Sequence, residues 1–172
     1  MFQKEILNKQ AFGVVGELAV DGPNRIIPAI LKSSDEANNV IGRAFTIVSG
    51  ATASTDTSGD PKPIIAQAGG NGVFAGILIN PKSHVAFGSD LEPISTVKNN
   101  VAVELLTMGE VIVELEGAAK IGDAIYYDTN TGALIVPVPG QGIPEGAIDL
   151  PNAVISRFDN TAPSIAVIKL TN

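Results

Sequence analysis

The seven residues Glu110–Glu116, EVIVELE, sort by parity. Val111, Val113 and Leu115 fall on one side; Glu110, Glu114 and Glu116 fall on the other, with Ile112 among them. A period of two is what a half-buried strand imposes, because successive side chains leave opposite faces of the backbone. Short runs of the same kind recur: GVVGELAV (13–20), NRIIPAIL (24–31), VIGRAFTIV (40–48), GVFAGILI (72–79), NAVISRF (152–158) and SIAVIKL (164–170). Each is bounded by Gly, Pro, Asn or Asp, and each predicts a strand. Residues 120–138, KIGDAIYYDTNTGALIVPV, predict a hairpin in which AIYY and ALIV flank the loop DTNTG. Asp128 or Asn130 accepts local backbone N–H bonds there, and Gly132 takes the positive φ that ends the loop. DGPN (21–24) and DNTAPS (159–164) are further candidate hairpin turns.

Helical spacing is scarce. SSDEANN (33–39) has the capping-box interval from Ser33 to Glu36 but supports only about two turns. FQKEIL places Phe2 and Ile6 on one face of a segment too short to be stable alone. Long loops are expected near 50–72, opening with the small polar run GATASTDTSGD, and over the Pro/Gly-rich 138–151. The expected organisation is an N-terminal arm, 1–12, followed by a single β domain, 13–172. VIGRAFTI (40–47) and KIGDAIYY (120–127) share Ile-Gly-x-Ala. A match this short reads as turn chemistry recurring before strands rather than as a duplication.

Composition narrows the picture. Hydrophobic residues make up 45% of the 172 but aromatics only 5%, so the core must be built from Ala, Val, Ile and Leu. The absence of cysteine excludes disulfides and thiolate zinc sites. The N-terminus lacks the apolar h-region of a signal peptide, and no run approaches the ~18 apolar residues of a membrane span. The net charge of −7 is uneven: residues 1–86 balance seven acids with seven bases, while 87–172 hold eleven acids and four bases. Nucleic-acid binding needs a basic patch to displace counterions from phosphate, and these bases are few and scattered.

Candidate chemistry is thin. His84 is the sole histidine; a relay with a serine and Asp90 would have no G-x-S-x-G elbow to present the nucleophile. Gly70–Ala75 fits G-x-G-x-x-A, but GILIN and Pro81 follow where a dinucleotide site needs a helix. Asp128-x-Asn130 and Asp56-x-x-x-Asp60 offer oxygen ligands without the glutamate and flanking helices of an EF-hand. Glu110, Glu114 and Glu116 read as a solvated strand face rather than paired catalytic carboxylates. GAIDLPN (146–152) resembles the Gly-x-Ile-Asp motif of trimeric dUTP pyrophosphatases, but the tyrosine that should follow is missing, as is a serine/glycine phosphate loop. These residues point to no enzyme, no cofactor and no metal.

The whole pattern resembles the cement or decoration proteins of tailed-bacteriophage capsids. The likeness runs from a short arm into AFGVVGELAV, through IGRAFTI and GVFAGILINPKSH (72–84), to MGEVIVELEGAAKIGDAIYYDTNTGAL (108–134), and closes with AVISRFDNTAPSIAVIKL. It implies an all-β fold, a β-sandwich or jelly-roll-like barrel with an extended N-terminal arm and long loops. It also implies a dimer or trimer on the outer surface of the capsid, made in the host cytoplasm, with the major capsid protein as partner. Within that reading Phe2, Ile6, Leu7 and Phe12, which lie outside the expected strands, are the candidate contacts with the shell or a neighbouring subunit. The alternatives are a tail-fibre or receptor- or carbohydrate-binding β module and, less favoured, the dUTP pyrophosphatase-like enzyme.

Overall fold

The computed structural model describes residues 13–48, 63–80, 96–137, 140, 142–158 and 164–171. Among the described residues nine strands are formed: β1 (Arg25–Leu31), β2 (Ala44–Ile47), β3 (Ile64–Ala68), β4 (Phe74–Leu78), β5 (Ala102–Leu115), β6 (Ala124–Asp128), β7 (Leu134–Ile135), β8 (Ala147–Phe158) and β9 (Ser164–Leu170). They follow the order β1-β3-β2-β4-β5-β9-β8-β6-β7, with β1 also paired to β5. That extra pairing closes β1-β3-β2-β4-β5 into a five-stranded ring. A parallel bridge from Glu116 to Ile135 brings β7 back to the end of β5 and closes β5-β9-β8-β6-β7 into a second ring. The expectation of an all-β barrel therefore holds, and the strand order resolves it into two small barrels that share β5.

β5 can serve both because it is long and sided. Its first half pairs with β1 from Ala102 to Met108, and with β4 at Leu105 and Leu106. Its second half, Gly109–Leu115, pairs with β9. Val111, Val113 and Leu115 are buried while Glu114 and Glu116 stay exposed, as their parity requires. Ile112, on the polar parity, is buried as well, because the chain around Gly13–Glu17 lies over it. The first barrel's core gathers Leu31, Phe45, Leu78, Val103 and Leu105. The second barrel's core gathers Val111, Val113, Ile125, Tyr127, Leu134, Ile155 and Ile168, and it includes Ala44, Ile77 and Leu106 from strands of the first.

The two rings follow one plan. β1 pairs β3 in parallel, as β5 meets β7; β2 pairs β3 and β4 antiparallel, as β6 pairs β7 and β8. The Ile-Gly-x-Ala stretches fall at equivalent places. Gly42 N–H donates to the Leu78 carbonyl (2.8 Å) and Leu78 N–H to the Arg43 carbonyl (3.0 Å); Gly122 donates to Ile155 (2.8 Å) and Ile155 to Asp123 (3.2 Å). Ala44 pairs with Ile77, and Ala124 with Val154. The shared tetrapeptide thus marks a repeated supersecondary unit, which corrects the reading of it as recurrent turn chemistry. The repeat lives in the hydrogen-bond register, which tolerates almost any side chain, so few letters preserve it.

Other expectations are corrected locally. GVVGELAV forms no ladder strand: Gly13 and Gly16 sit at φ 130° and 86°, and Leu18 alone bridges to Val111. DGPN does not turn a hairpin, since the partners of β1 are β3 and β5. The loop expected near 50–72 contains β3, whose five residues are masked in sequence by flanking Pro and Gly. The loop expected over 138–151 contains the start of β8, which runs through Pro151. Proline is tolerated there because β9 first pairs β8 at Ala153, so no ladder bond is lost. The short helical turn is a 3-10 turn over Glu36–Asn38, capped by Asp35 rather than Ser33. Ser33 is buried instead; its hydroxyl donates to Asn39 Oδ1 and accepts from Ala68 N–H.

Candidate functional site

The four candidate arm residues Phe2, Ile6, Leu7 and Phe12 lie outside the described residues, as do His84, Asp90, Asp56 and Asp60. Residues 13–19, which follow the arm, are described and are held firmly. Gly16 N–H donates to the Ile112 carbonyl at 2.7 Å, Ile112 N–H to Glu17 at 2.9 Å, Ala19 N–H to Glu110 at 2.9 Å and Asn80 N–H to Gly16 at 2.9 Å. A Cβ on Gly16 would come within 2.1 Å of Ile41 Cγ2 and 2.9 Å of Asn80 N, so only glycine admits this approach. Residues 13–19 are therefore fixed at the waist between the barrels.

The predicted hairpin 120–138 forms, and its loop does more than reverse the chain. Asp128 Oδ1 accepts from the N–H groups of Asn130 and Thr131, both at 2.8 Å, and from Thr131 Oγ1 at 3.1 Å. With Gly132 at φ 73°, this closes a rigid loop whose backbone groups face the first barrel. Ala44 N–H donates to Gly132, Gly69 N–H to Ala44, and Gly70 N–H to Thr129 at 2.6 Å. Arg43 Nη1 donates to the Thr131 carbonyl (3.1 Å), Asn38 Nδ2 to Asn130 (3.3 Å), and the Tyr127 hydroxyl to Gly70 (3.2 Å). A Cβ at Gly69 would stand 2.5 Å from Thr129 O, and one at Gly132 2.4 Å from Ala44 O. Loop and turn are thus mortised together by backbone bonds at a closeness that a Cβ at Gly69 or Gly132 would prevent. Sequence reading identified the loop but not its counterpart at Gly69–Gly70; the doubled glycine was the available signal.

Asp128 is occupied by its own loop, which leaves Oδ1 little capacity for calcium. Burial pushes the Tyr127 phenol above its usual pKa of about 10 and so disfavours its ionisation. The G-x-G-x-x-A segment is the turn from β3 to β4, as its context predicted. Glu110 meets Arg157 at 3.6 Å near the surface, an exposed pairing of small energetic consequence. Among the described residues no group of three or more His, Cys, Asp or Glu side chains gathers to hold a metal ion. No described helix is long and apolar enough to cross a membrane. A shallow, mostly apolar cleft of about 350 Å³ lies at the waist between Val20–Asn24, Met108–Glu110 and Lys169–Thr171.

A family model described as structural cement protein (E217 gp24/Pam3 gp6) matches residues 2–171. A chain of the solved capsid of Myoviridae Phage XM1 has the same fold, with a TM-score of 0.65 at 13% identity, covering 99% of this chain and 98% of that one. No curated protein matches the chain.

Proposed function

Since this chain belongs to the phage structural cement protein family, we propose that it binds the outside of the mature phage head and stabilises the major capsid protein lattice across capsomer seams. The observation that carries this reading is the junction just described: two barrels made one rigid body by a shared strand and a glycine mortise. A fastener must transmit load without bending at a hinge, and a strand common to both rings leaves no linker to flex. Many copies on one lattice add avidity to individually weak contacts. A protein that binds the expanded lattice and not its precursor stabilises that state by its own binding free energy. The acidic surplus suits an outer surface better than an interior that holds DNA. The working form is a homo-oligomer, and the arm residues Phe2, Ile6, Leu7 and Phe12 reach the shell or a neighbouring subunit.

Purified protein is mixed with emptied expanded heads and with unexpanded procapsids, and bound copies are counted on each. The expected result is near-stoichiometric decoration of expanded heads and little on procapsids. Equal or absent binding to both would overturn the reading. Deleting residues 1–12 should abolish decoration while leaving the β circular-dichroism spectrum unchanged; full binding by the truncated protein would reject the arm's role.

A further inference from the structure

The repeat supplies a template for a surface that is bare in one half of the molecule and covered in the other. In the first barrel, Ala44, Ile77 and Leu106 stand on the side that meets the second barrel, and Ile41 lies beside them under the 13–17 segment. Ala44, Ile77 and Leu106 are fully buried and belong to the second barrel's core. Ile41 is half-buried, with Gly16 against its Cγ2. The register assigns their equivalents in the second barrel. Ile41 corresponds to Ile121 in the shared tetrapeptide, and Ala44, paired to Ile77, corresponds to Ala124, paired to Val154. Leu106, paired to Ile77, corresponds to Lys169, paired to Val154.

These equivalents are open. Ile121 is 69% exposed and Val154 40% exposed, and Ala124 and Lys169 are exposed as well. Gly42 has Val15 Cγ1 within 2.4 Å of where a Cβ would lie, whereas its equivalent Gly122 has nothing within 4 Å. The neighbouring strand positions alternate as expected: Ile125 and Ile155 point into the second core, as Phe45 and Leu78 point into the first. The outward face of β6 and β8 is therefore the face on which, one unit earlier, the next barrel is built.

We propose that the Ile121–Ala124–Val154 face of the second barrel is an interface that receives a second copy of this chain. The occupant follows from the template, because what covers Ala44, Ile77 and Leu106 within one molecule is a barrel of this architecture, and a second copy supplies another. The replacement of Leu106 by Lys169 fits an intermolecular role. A permanent internal core tolerates no unpaired charge, whereas the rim of a separable interface accepts one and can set it against the partner's acidic surface. The inference deepens the proposed homo-oligomeric state and is testable apart from head binding.

The full-length protein and its Ile121→Asp and Val154→Asp variants are compared by sedimentation equilibrium over a wide concentration range, with thermal unfolding as the control for folding. Ile121 lies in an exposed turn, so Ile121→Asp should leave the melting temperature nearly unchanged. Self-association should weaken by about tenfold or more in each variant. Val73→Asp, at a 72% exposed position in the β3–β4 turn of the other barrel, should leave it unchanged. A wild-type chain that stays monomeric throughout, or folded face variants that associate like wild type, would overturn the proposal. Unchanged association with lost head decoration would also overturn it, assigning the face to the shell protein while keeping the cement role. Failure of the wild type to decorate heads would count against the cement role and leave the self-association result standing.

Discussion

At the scale of single residues, the glycines separate backbone geometry from packing. Gly132 and Gly122 both sit at positive φ, 73° and 88°, but only Gly132 faces backbone atoms where a Cβ would be. Gly122→Ala should cost about 1 kcal/mol, the penalty of the conformation alone. Gly132→Ala adds a clash with the Ala44 carbonyl and should cost roughly 2–4 kcal/mol, measured as the difference in urea unfolding free energy. Comparable losses at the two positions would show that the mortise contributes nothing. Tyr127 offers a test by pH. Its folded-state pKa is raised by burial, so the folded protein holds the phenolic proton more tightly than the unfolded chain does. The stabilisation is complete below the unfolded value of about 10 and is lost as pH rises through the folded value. Tyr127→Phe should remove this alkaline decline and cost about 1 kcal/mol at neutral pH through the lost bond to Gly70. The unfolding midpoint followed from pH 7 to 11 in both proteins checks it.

At the scale of elements, β5 decides how the molecule unfolds. One strand cannot leave the first ring without opening the second. Both tyrosines, Tyr126 and Tyr127, lie on β6, and the chain has no tryptophan, so tyrosine fluorescence reports the second barrel and, through the Tyr127–Gly70 bond, its junction with the first. Leu31→Ala, in the core of the first barrel, should destabilise by about 2–5 kcal/mol. Its tyrosine fluorescence and far-ultraviolet dichroism transitions should shift together to the same lower urea midpoint. If the tyrosine signal kept its wild-type midpoint while the dichroism split, the barrels would be independent and the rigid-body reading would fail. The element scale also explains the local corrections. Segment 13–20 has the composition of a strand, but its glycines at positive φ let it approach Ile112 and Ile41 instead of extending a ladder.

At the scale of the whole molecule, the two barrels differ in what surrounds them more than in how they are made. The first barrel's connections are long: 48–63 between β2 and β3, and 79–101 between β4 and β5. The second barrel's equivalents, 129–133 and 159–163, are short. The acidic surplus of residues 87–172 falls mainly on the second barrel, where Glu114, Glu116, Glu145 and Asp149 are exposed. One plan thus carries two different surfaces. Decoration of expanded heads over procapsids tests the role at this scale, and self-association of face variants tests which neighbour the second barrel meets.

Parity and punctuation alone determined that this chain is all-β, where most strands run, and that DTNTG makes a closed loop around Asp128 and Gly132. These are local properties: a strand's period and a turn's φ are written in a handful of adjacent residues. Closure was decided only in three dimensions. That β5 belongs to two rings, that Gly69–Gly70 receives the 128–132 loop, and that Ile121 and Val154 are the bare counterparts of Ile41 and Ile77 all depend on pairings between distant segments. Backbone hydrogen bonds make those pairings and are nearly indifferent to side-chain identity, so a repeated fold left a trace of only a few letters.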